Sequence, residues 1–259
     1  MPDQNLKNQI ALVTGSSQGI GAGIAKAFAA QGAQVVIHGL KEGSGAAVVE
    51  AVRAAGGDAF AVEGNLMDAG FCRRLMAETI SHFGRIDILV NNAAVVHRSD
   101  IEHNTLELWD EVLDINLRAP FILCQKAVED MKPRHAGCII NIGSVNAYMG
   151  LPKLLAYSAS KGGLMTFTKN LSNYLTRYRI RVNQINPGWV LTEGEHYVES
   201  VAEGRGENWL EDALKSRPFG RMVLPADIAH AALFFATADL ITGAVLDYEQ
   251  MPVGAMPEL

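Results

Sequence analysis

The clearest indication of the fold is the stretch IALVTGSSQGIGAGIAKAFAAQG, residues 10–32, which runs from a strand through a glycine loop into a helix. Ile10–Val13 is short and apolar, as buried strands are, and Ile20–Gln31 has a helical pattern. The glycines at 15, 19 and 21 permit a tight turn and the close approach of a ligand. Free N–H groups at the start of the helix suit a pyrophosphate. The stretch therefore predicts the first turn of a βαβ unit that binds a nucleotide, and a purely structural turn is the alternative.

Short apolar runs and longer amphipathic segments alternate along the rest of the chain. Runs such as IDILV and CIINI are apolar throughout, which is typical of a parallel sheet covered on both faces. Alternating strands and helices imply right-handed crossovers. The sequence thus predicts an α/β fold: a single Rossmann-type, doubly wound domain over residues 1–259, with an about seven-stranded parallel sheet and helices on both faces. Strands are predicted near Ile10–Val13, Gln34–His38, Ala59–Glu63, Ile86–Asn91, Cys138–Ile142, Arg181–Ile185 and Ala244–Tyr248, and helices near Ile20–Gln31, Ser44–Ala55, Asp68–Phe83, Leu106–Met131, Tyr157–Arg177 and Pro225–Ala236.

Composition and charge argue against several classes of protein. The formal net charge is −6, and the chain has no dense run of Lys or Arg, so we expect no nucleic-acid partner. No apolar run is long enough to span a membrane, and the N-terminus lacks the pattern of a signal peptide. The cysteines at 72, 124 and 138 are scattered and no HExxH pair occurs, which argues against a metal site. We expect reduced, structural thiols in a cytoplasmic protein.

Polar and small residues recur just past the predicted strands. Asn91–Ala94 follows the fourth strand, Ser144 follows the fifth, and Asn186–Thr192 follows the sixth. In an open parallel sheet, ligands bind at the carboxyl ends of the strands, where the strand order reverses. Each of these segments alone could be an ordinary turn, but their joint position favours one binding site.

The segment AYSASKGG, residues 156–163, places Tyr157 and Lys161 four positions apart in a predicted helix. Four positions are about one helical turn, so the phenol and the ammonium group share one face. On spacing alone, this is either a proton-transfer pair or an ordinary polar face.

Taken together, these motifs resemble the short-chain dehydrogenase/reductase family. The matching stretches are TGSSQGIG (14–21), NNAA (91–94), Asn116, Ser144, YSASK (157–161) and PGWVLT (187–192), in the family's order and spacing over roughly residues 8–250. The resemblance implies an NAD(P)-dependent oxidoreductase that interconverts a secondary alcohol and a ketone by hydride transfer.

The resemblance makes Tyr157 the general acid and base. A phenol with its ordinary pKa of about 10 is a poor base at neutral pH. Lys161 at ~4 Å, at an effective dielectric constant near 20, would favour the phenolate by about 4 kcal/mol, or roughly three pKa units. Lys161 would also bind the nicotinamide ribose, and Ser144 would donate a hydrogen bond to the substrate oxygen.

Asn116 is the fourth catalytic residue that the resemblance implies. Pro120 lacks the N–H that would bond the Asn116 carbonyl within the predicted helix. We expect this carbonyl to hold a water molecule in a proton relay to Lys161. A kink without a chemical role is the alternative.

The resemblance assigns cofactor binding to the glycine loop, the strand ends and the catalytic helix. The segment VVIHGLKEG has neither an Asp at position 39, typical of NAD enzymes, nor an Arg at 18 or 40, typical of NADP enzymes. Lys41 could meet a 2′-phosphate or face solvent, so NAD or NADP is expected, with a lean to NAD. The expected cofactor residues are Gly15, Ser17, Gln18, Gly19, Ile20, Gly21, Gly39, Leu40, Asn65, Leu66, Asn92, Ala93, Tyr157, Lys161, Pro187, Val190 and Thr192.

Residues 189–218, here called the lid segment, interrupt the strand–helix rhythm and should cover a small polar carbonyl or alcohol substrate. Their polar, aromatic composition predicts a sugar, a sugar acid or a polyol, although these side chains could simply face water. One rival is a 3-oxoacyl-carrier-protein reductase, which needs basic residues near its cleft to dock an acidic carrier. A non-catalytic cofactor-binding regulator is another, but it would usually lose part of the Ser–Tyr–Lys set.

The helix that begins near Tyr157 has an apolar stripe wider than one sheet contact needs. Together with the resemblance, this stripe predicts a homotetramer or a homodimer. A well-buried helix in a monomer is the alternative.

Overall fold

A single parallel sheet organises the computed structural model, which describes residues 5–148 and 150–252. The strand order is β3-β2-β1-β4-β5-β6-β7, so the order reverses between β1 and β4 and leaves a crevice at the carboxyl ends of these strands. This topology confirms the predicted seven-stranded, doubly wound fold. The strands are β1 (Ile10–Val13), β2 (Gln34–Gly39), β3 (Asp58–Glu63), β4 (Ile88–Asn91), β5 (Gly137–Ile142), β6 (Ile180–Pro187) and β7 (Val245–Tyr248).

Helices connect the strands and cover the sheet. Within the described ranges, no helix is both long and apolar enough to cross a membrane. Single turns of 3-10 helix occur at Val145–Ala147 and Thr176–Tyr178, and π-helical turns at Asp114–Arg118 and Val198–Ala202. The α-helices are α1 (Gly19–Ala30), α2 (Ala46–Ala54), α3 (Ala69–Phe83), α4 (Leu106–Leu113), α5 (Ala119–Arg134), α6 (Leu155–Leu175), α7 (Glu193–Tyr197), α8 (Trp209–Lys215) and α9 (Pro225–Thr237).

Alternate residues of the strands face two separate apolar cores. Ala11 and Val13 of β1 pack with residues of α1, α2 and α9, whereas Leu12 packs with residues of α3, α5 and α6. Successive side chains of a strand point to opposite faces of the sheet. Burial on both faces therefore explains why the central strands are apolar throughout.

The single helix predicted over Leu106–Met131 is interrupted. The π-helical turn Asp114–Arg118 separates α4 from α5, and the Ala119 N–H donates to the Asp114 carbonyl. Pro120 falls in the first turn of α5, where a missing N–H costs little. The proline thus starts a new helix instead of bending an old one.

The lid segment, which interrupts the strand–helix rhythm of the sequence, is largely helical. Thr192 caps α7 by accepting a hydrogen bond from the Glu195 N–H at 3.0 Å. Trp209 of α8 is buried, and its ring lies 5.8 Å from that of Trp189. With Ala213 and Met222 it forms a small core of its own. This core explains how a polar segment folds locally.

Candidate active site

A cavity of about 520 Å³ opens at the carboxyl ends of the strands. Its size is in the usual range for small-molecule sites. Within the described residues, no cluster of His, Cys, Asp or Glu suited to a metal ion occurs. Most of the predicted site residues line this cavity: Gly15, Ser17, Gln18, Gly19, Ile20, Leu40, Asn65, Leu66, Asn92, Ala93, Ser144, Tyr157, Lys161, Pro187, Val190 and Thr192.

The glycine loop is held tightly against the end of β4. Gly15 has a φ of +61°, and a Cβ there would lie 2.8 Å from the Ala93 Cα. The Asn92 side chain donates to the carbonyl oxygens of Thr14 (2.8 Å) and Gly15 (3.1 Å). Gln18, before α1, makes no side-chain cap, so N–H groups of the first turn stay available to an anion. This cradle fits the pyrophosphate of a dinucleotide.

Gly21 and Gly39, predicted to contact the cofactor, do not line the cavity. A Cβ at Gly21 would overlap the Gly15 carbonyl oxygen, and one at Gly39 would overlap the Ser44 hydroxyl. The structure therefore gives both glycines a packing role. They let the loop and the segment after β2 adopt their shapes.

His38, at the end of β2, lines the cavity and was missed by the sequence analysis. The Gly15 N–H donates to His38 Nδ1 at 3.0 Å, and Nε2 lies 3.1 Å from the Gly64 carbonyl oxygen. Because a backbone N–H can only donate, Nδ1 carries no proton and Nε2 donates, so the ring is neutral. Burial lowers the His38 pKa below 6.5, which favours the same form. A polar residue in the apolar run QVVIHG was the only signal.

Tyr157 and Lys161 lie one turn apart in α6 and both face the cavity. Lys161 is buried, and its Nζ donates to the Ile142 carbonyl oxygen at 2.8 Å. That Nζ lies 5.6 Å from the centre of the Tyr157 ring. The predicted common face is therefore present, but the ammonium group is directed to the end of β5.

The Tyr157 pKa is raised, not lowered. Loss of contact with water is the largest cause, a hydrogen bond with Ser144 opposes it, and the negative charge of Glu195 adds to it. Burial lowers the Lys161 pKa to about 8. The predicted lowering of the Tyr157 pKa by Lys161 is therefore not met in this structure, because the ammonium group is bonded to Ile142 and burial dominates.

Ser144 follows β5 and is held in place by its neighbours. Its N–H donates to Asn186 Oδ1 at 3.2 Å, and its Oγ accepts a hydrogen bond from the Asn146 N–H at 3.1 Å. The Ser144 and Tyr157 side chains both line the cavity, and Ser144 opposes the rise of the Tyr157 pKa. This is the arrangement needed to hold one substrate oxygen.

Asn116 is buried in the π-helical turn and does not line the cavity. Its side chain accepts a hydrogen bond from the Val95 N–H (2.9 Å) and donates to the Val95 carbonyl oxygen (3.0 Å) and to Ser160 Oγ (3.1 Å). Asn116 thus ties the segment after β4 to α6. Its role in a proton relay stays a prediction, and a π-turn is often found at functional sites.

The far end of the cavity is formed by the lid segment. The Trp189 indole N–H donates to Glu195 Oε1 at 2.6 Å, and both residues line the cavity. The sequence analysis missed other lining residues beside the predicted motifs: Gly64, Val95, Val96, Ile115, Ile142 and Gly143. Ala94 and Gly188, which also line the cavity, lie inside the predicted motifs NNAA and PGWVLT.

The sheet is doubly wound, and the glycine loop lies where its strand order reverses. Ser144, Tyr157 and Lys161 line the same cavity as this loop. These features are typical of a nucleotide-dependent oxidoreductase. Comparison with known proteins gives the family. The family model described as short chain dehydrogenase matches residues 9–202, and the chain belongs to this family of oxidoreductases.

Two relatives and one solved structure illustrate what the chain is similar to. An uncharacterized oxidoreductase of Thermotoga maritima is 39% identical over 241 residues, which cover 92% of this chain and 93% of that protein. The 3-oxoacyl-[acyl-carrier-protein] reductase FabG of Chlamydia muridarum is 36% identical over 94% of this chain and 97% of its own length. A crystal structure of a 3-oxoacyl (acyl-carrier-protein) reductase from Agrobacterium tumefaciens with NADP bound has a TM-score of 0.86 and 31% identity, covering 95% of this chain and 94% of that one.

Proposed function

We propose that this oxidoreductase acts on a sugar, a sugar acid or a polyol, in carbohydrate metabolism. The observation that carries the proposal is the Trp189–Glu195 pair in the cavity that Tyr157 also lines. A carboxylate accepts hydrogen bonds from hydroxyl groups, and an indole ring offers a flat apolar surface with one polar edge. A long acyl substrate would need a more apolar wall at this end.

Tyr157 is the proposed acid and base. Its raised pKa keeps the phenol protonated at neutral pH, so it can donate a proton to a ketone oxygen, and it must lose that proton before it accepts one from an alcohol. Ser144 would hold the same oxygen through its hydroxyl group, and Lys161, whose ammonium group also donates to the Ile142 carbonyl oxygen, would hold the ribose. Bound NAD or NADP accepts or supplies the hydride.

For the cofactor, we propose NAD or NADP with a preference for NAD. Leu40 lines the cavity beyond β2, and Lys161 is the only Lys or Arg among its lining residues in the described part of the chain. A 2′-phosphate would gain most from a guanidinium group at the adenosine end. The similarity to a reductase that binds NADP favours the other choice.

A 3-oxoacyl-carrier-protein reductase is the second candidate, because several of the similar proteins carry that name, those of Chlamydia muridarum and Agrobacterium tumefaciens among them. Docking an acidic carrier needs basic groups that are free to pair. The arginines in and after the lid segment already have carboxylate partners: Arg205 pairs with Glu199, Arg217 with Glu249, and Arg221 with Asp227. This pairing favours the sugar or polyol substrate.

The test is a panel of substrates with NAD and with NADP, followed through the absorbance of the reduced nicotinamide. The panel contains neutral sugars and polyols, sugar acids, and acetoacetyl thioesters. We expect kcat/KM to be highest for a polyhydroxylated compound. Efficient reduction of the thioester with no activity on sugars, sugar acids or polyols would replace the first candidate by the second.

We also propose that the chain forms a homodimer or a homotetramer through α5 and α6. A groove between these helices is lined by Phe121, Val128, Phe167 and Leu171, among others, and Phe121 is 50% exposed. Paired helices from a second copy would bury this surface. Light scattering should give a mass of two or four chains, and the mass of one chain would contradict the proposal.

The location we propose is the cytoplasm. Cys72, Cys124 and Cys138 are all free and buried. Burial raises the pKa of each thiol, which keeps it unreactive. Three free thiols are usual in a reducing compartment.

A further inference from the structure

Glu195 of α7 lies at the reacting end of the cavity. Its side chain is 25% exposed and lines the cavity together with Ser144 and Tyr157. The Trp189 indole occupies one position on Oε1. An ionised carboxylate has about four acceptor sites. Glu195 can therefore accept hydrogen bonds from a molecule in the cavity as well.

The charge of Glu195 is only partly offset by a cation. Arg98, from the segment after β4, reaches Glu199 at 2.8 Å and Glu203 at 3.4 Å but stays 3.8 Å from Glu195. Arg205 also pairs with Glu199, at 2.8 Å. Three carboxylates thus share two guanidinium groups. With all three carboxylates ionised, the cluster carries one net negative charge, and Glu195 is its member that lines the cavity. Burial raises the Glu195 pKa, the hydrogen bond from Trp189 opposes this rise, and the charge of Glu199 adds to it.

This charge acts on the residue that would exchange the proton. Glu195 is one of the causes that raise the Tyr157 pKa. A substrate whose oxygen lies against Tyr157 would therefore place its neighbouring carbon atoms in the same field. A hydroxyl group on those atoms can donate to the carboxylate, whereas a carboxylate or phosphate group there is repelled.

We propose that Glu195 is a specificity-determining residue, which binds the hydroxyl groups of a neutral sugar or polyol and excludes substrates with an anionic group beside the reacting carbon. The inference rests on the proposed function and narrows it, because sugar acids are removed from the substrate class. Arg98 and Arg205 both pair with Glu199, in the π-helical turn that follows α7, and the Trp189 N–H donates to Glu195 Oε1, so the carboxylate does not depend on the substrate for its orientation.

The experiment compares Glu195→Gln with the wild type on a matched pair of substrates, glucitol and gluconate, or the hexitol and hexonate of the configuration that the panel selects. Glutamine keeps the size of the side chain and an oxygen for the Trp189 N–H but removes the charge. We expect the ratio of kcat/KM for the anion to that for the neutral polyol to rise roughly tenfold to hundredfold. Glu193→Gln, on the exposed side of α7, should leave the ratio within about twofold of the wild type.

A second readout separates a charge effect from a loss of packing. Removal of the Glu195 charge should lower the Tyr157 pKa, so the pH at which alcohol oxidation begins to rise should move down in Glu195→Gln and not in Glu193→Gln. An unchanged substrate ratio, or the same change in both variants, would overturn the proposal.

Failure of the proposed function would give a different result. In that case no hexitol or hexonate is oxidised, while a simple ketone such as methyl acetoacetate is reduced. The role of Glu195 is then measured on methyl acetoacetate and acetoacetate, a neutral and an anionic ketone. The Glu195→Gln variant should still raise the relative rate for the anion roughly tenfold or more. An unchanged ratio here, or inactivity towards every carbonyl tested, would overturn the inference as well.

Discussion

The two ends of the cavity are built in different ways. At the glycine loop, backbone groups of neighbouring strand ends contact one another directly, as Gly15 does with Ala93. At the lid segment, side chains from distant parts of the chain form the contacts, and Arg98 and Glu199 are 101 positions apart. The shape of the glycine-loop end depends on residues that lack a side chain. The shape of the lid end depends on charged side chains that the fold brings together. A substitution at one end should therefore change the binding properties of that end and leave those of the other end intact.

Among the substitutions that compare the two ends, the largest effect is expected at the glycine loop. In Gly21→Ala, the new Cβ would overlap the Gly15 carbonyl oxygen, so the loop must move. We expect the dissociation constant of NAD or NADP to rise at least about tenfold and the free energy of unfolding to fall by roughly 1–3 kcal/mol.

Fluorescence titration with the cofactor and urea denaturation measure these two quantities. Gly23→Ala, also in α1, is the matched control, since its Cβ would come no closer than 3.2 Å to its nearest neighbour, Pro225 of α9. Equal cofactor affinity in both variants would show that the tight contact at Gly21 does not shape the loop.

At the lid segment, Arg98→Met should act on the substrate and spare the cofactor. Glu199 is buried and would keep Arg205 as its partner, so we expect a loss of roughly 1–2 kcal/mol, less than for a fully buried pair that loses its only partner. The KM for the substrate should rise several-fold while the dissociation constant of the cofactor stays within about twofold.

The control is Arg74→Met, because the ion pair of Arg74 with Asp68 is exposed on both sides. A parallel loss of cofactor affinity in Arg98→Met would mean that the two ends are not independent.

The smallest effect concerns His38 and depends on pH. Burial lowers the His38 pKa below 6.5 in the folded protein. Between this lowered pKa and pH 6.5, the unfolded chain therefore binds a proton that the folded chain does not. The free energy of unfolding should therefore fall as the pH drops below 6.5, by at most about 1.4 kcal/mol per pH unit. His38→Asn keeps an acceptor near Gly15 and should remove this slope.

Urea denaturation at pH 7.5 and 5.5 measures the slope in both proteins. The exposed His230, changed to Asn, serves as the control. The same slope in the wild type and in His38→Asn would contradict the assignment.

The sequence predicted the fold and most residues at the strand ends, because topology alone brings the ends of parallel strands to one edge. The tight turn predicted at Gly15 and Gly19 is also present. Both glycines have positive φ values, which other residues rarely adopt. The spacing of Tyr157 and Lys161 correctly predicted a shared face. These features follow from local geometry.

The remaining features depend on partners that spacing does not reveal. Lys161 bonds to the Ile142 carbonyl oxygen, so the predicted effect on the Tyr157 pKa is absent. His38 is fixed by Gly15 and Gly64, which approach it only in the folded sheet. The position of Glu195 depends on Arg98, which is distant in sequence and forms an ion pair with Glu199 of the lid segment. Tertiary hydrogen bonds and ion pairs of this kind are not encoded in a short motif.

In the proposed mechanism, Tyr157 exchanges the proton, and burial and Glu195 keep its pKa high. The most direct test is the pH dependence of kcat/KM in both directions, which reports ionisations of the free enzyme. Oxidation of the alcohol should rise through the alkaline range while reduction of the ketone falls over the same range. In Tyr157→Phe, both rates should fall by about 10²- to 10⁴-fold, and their dependence on pH in the alkaline range should vanish. The affinity for the cofactor should be retained. Wild-type rates in Tyr157→Phe, or two wild-type rates that rise together with pH, would contradict the account.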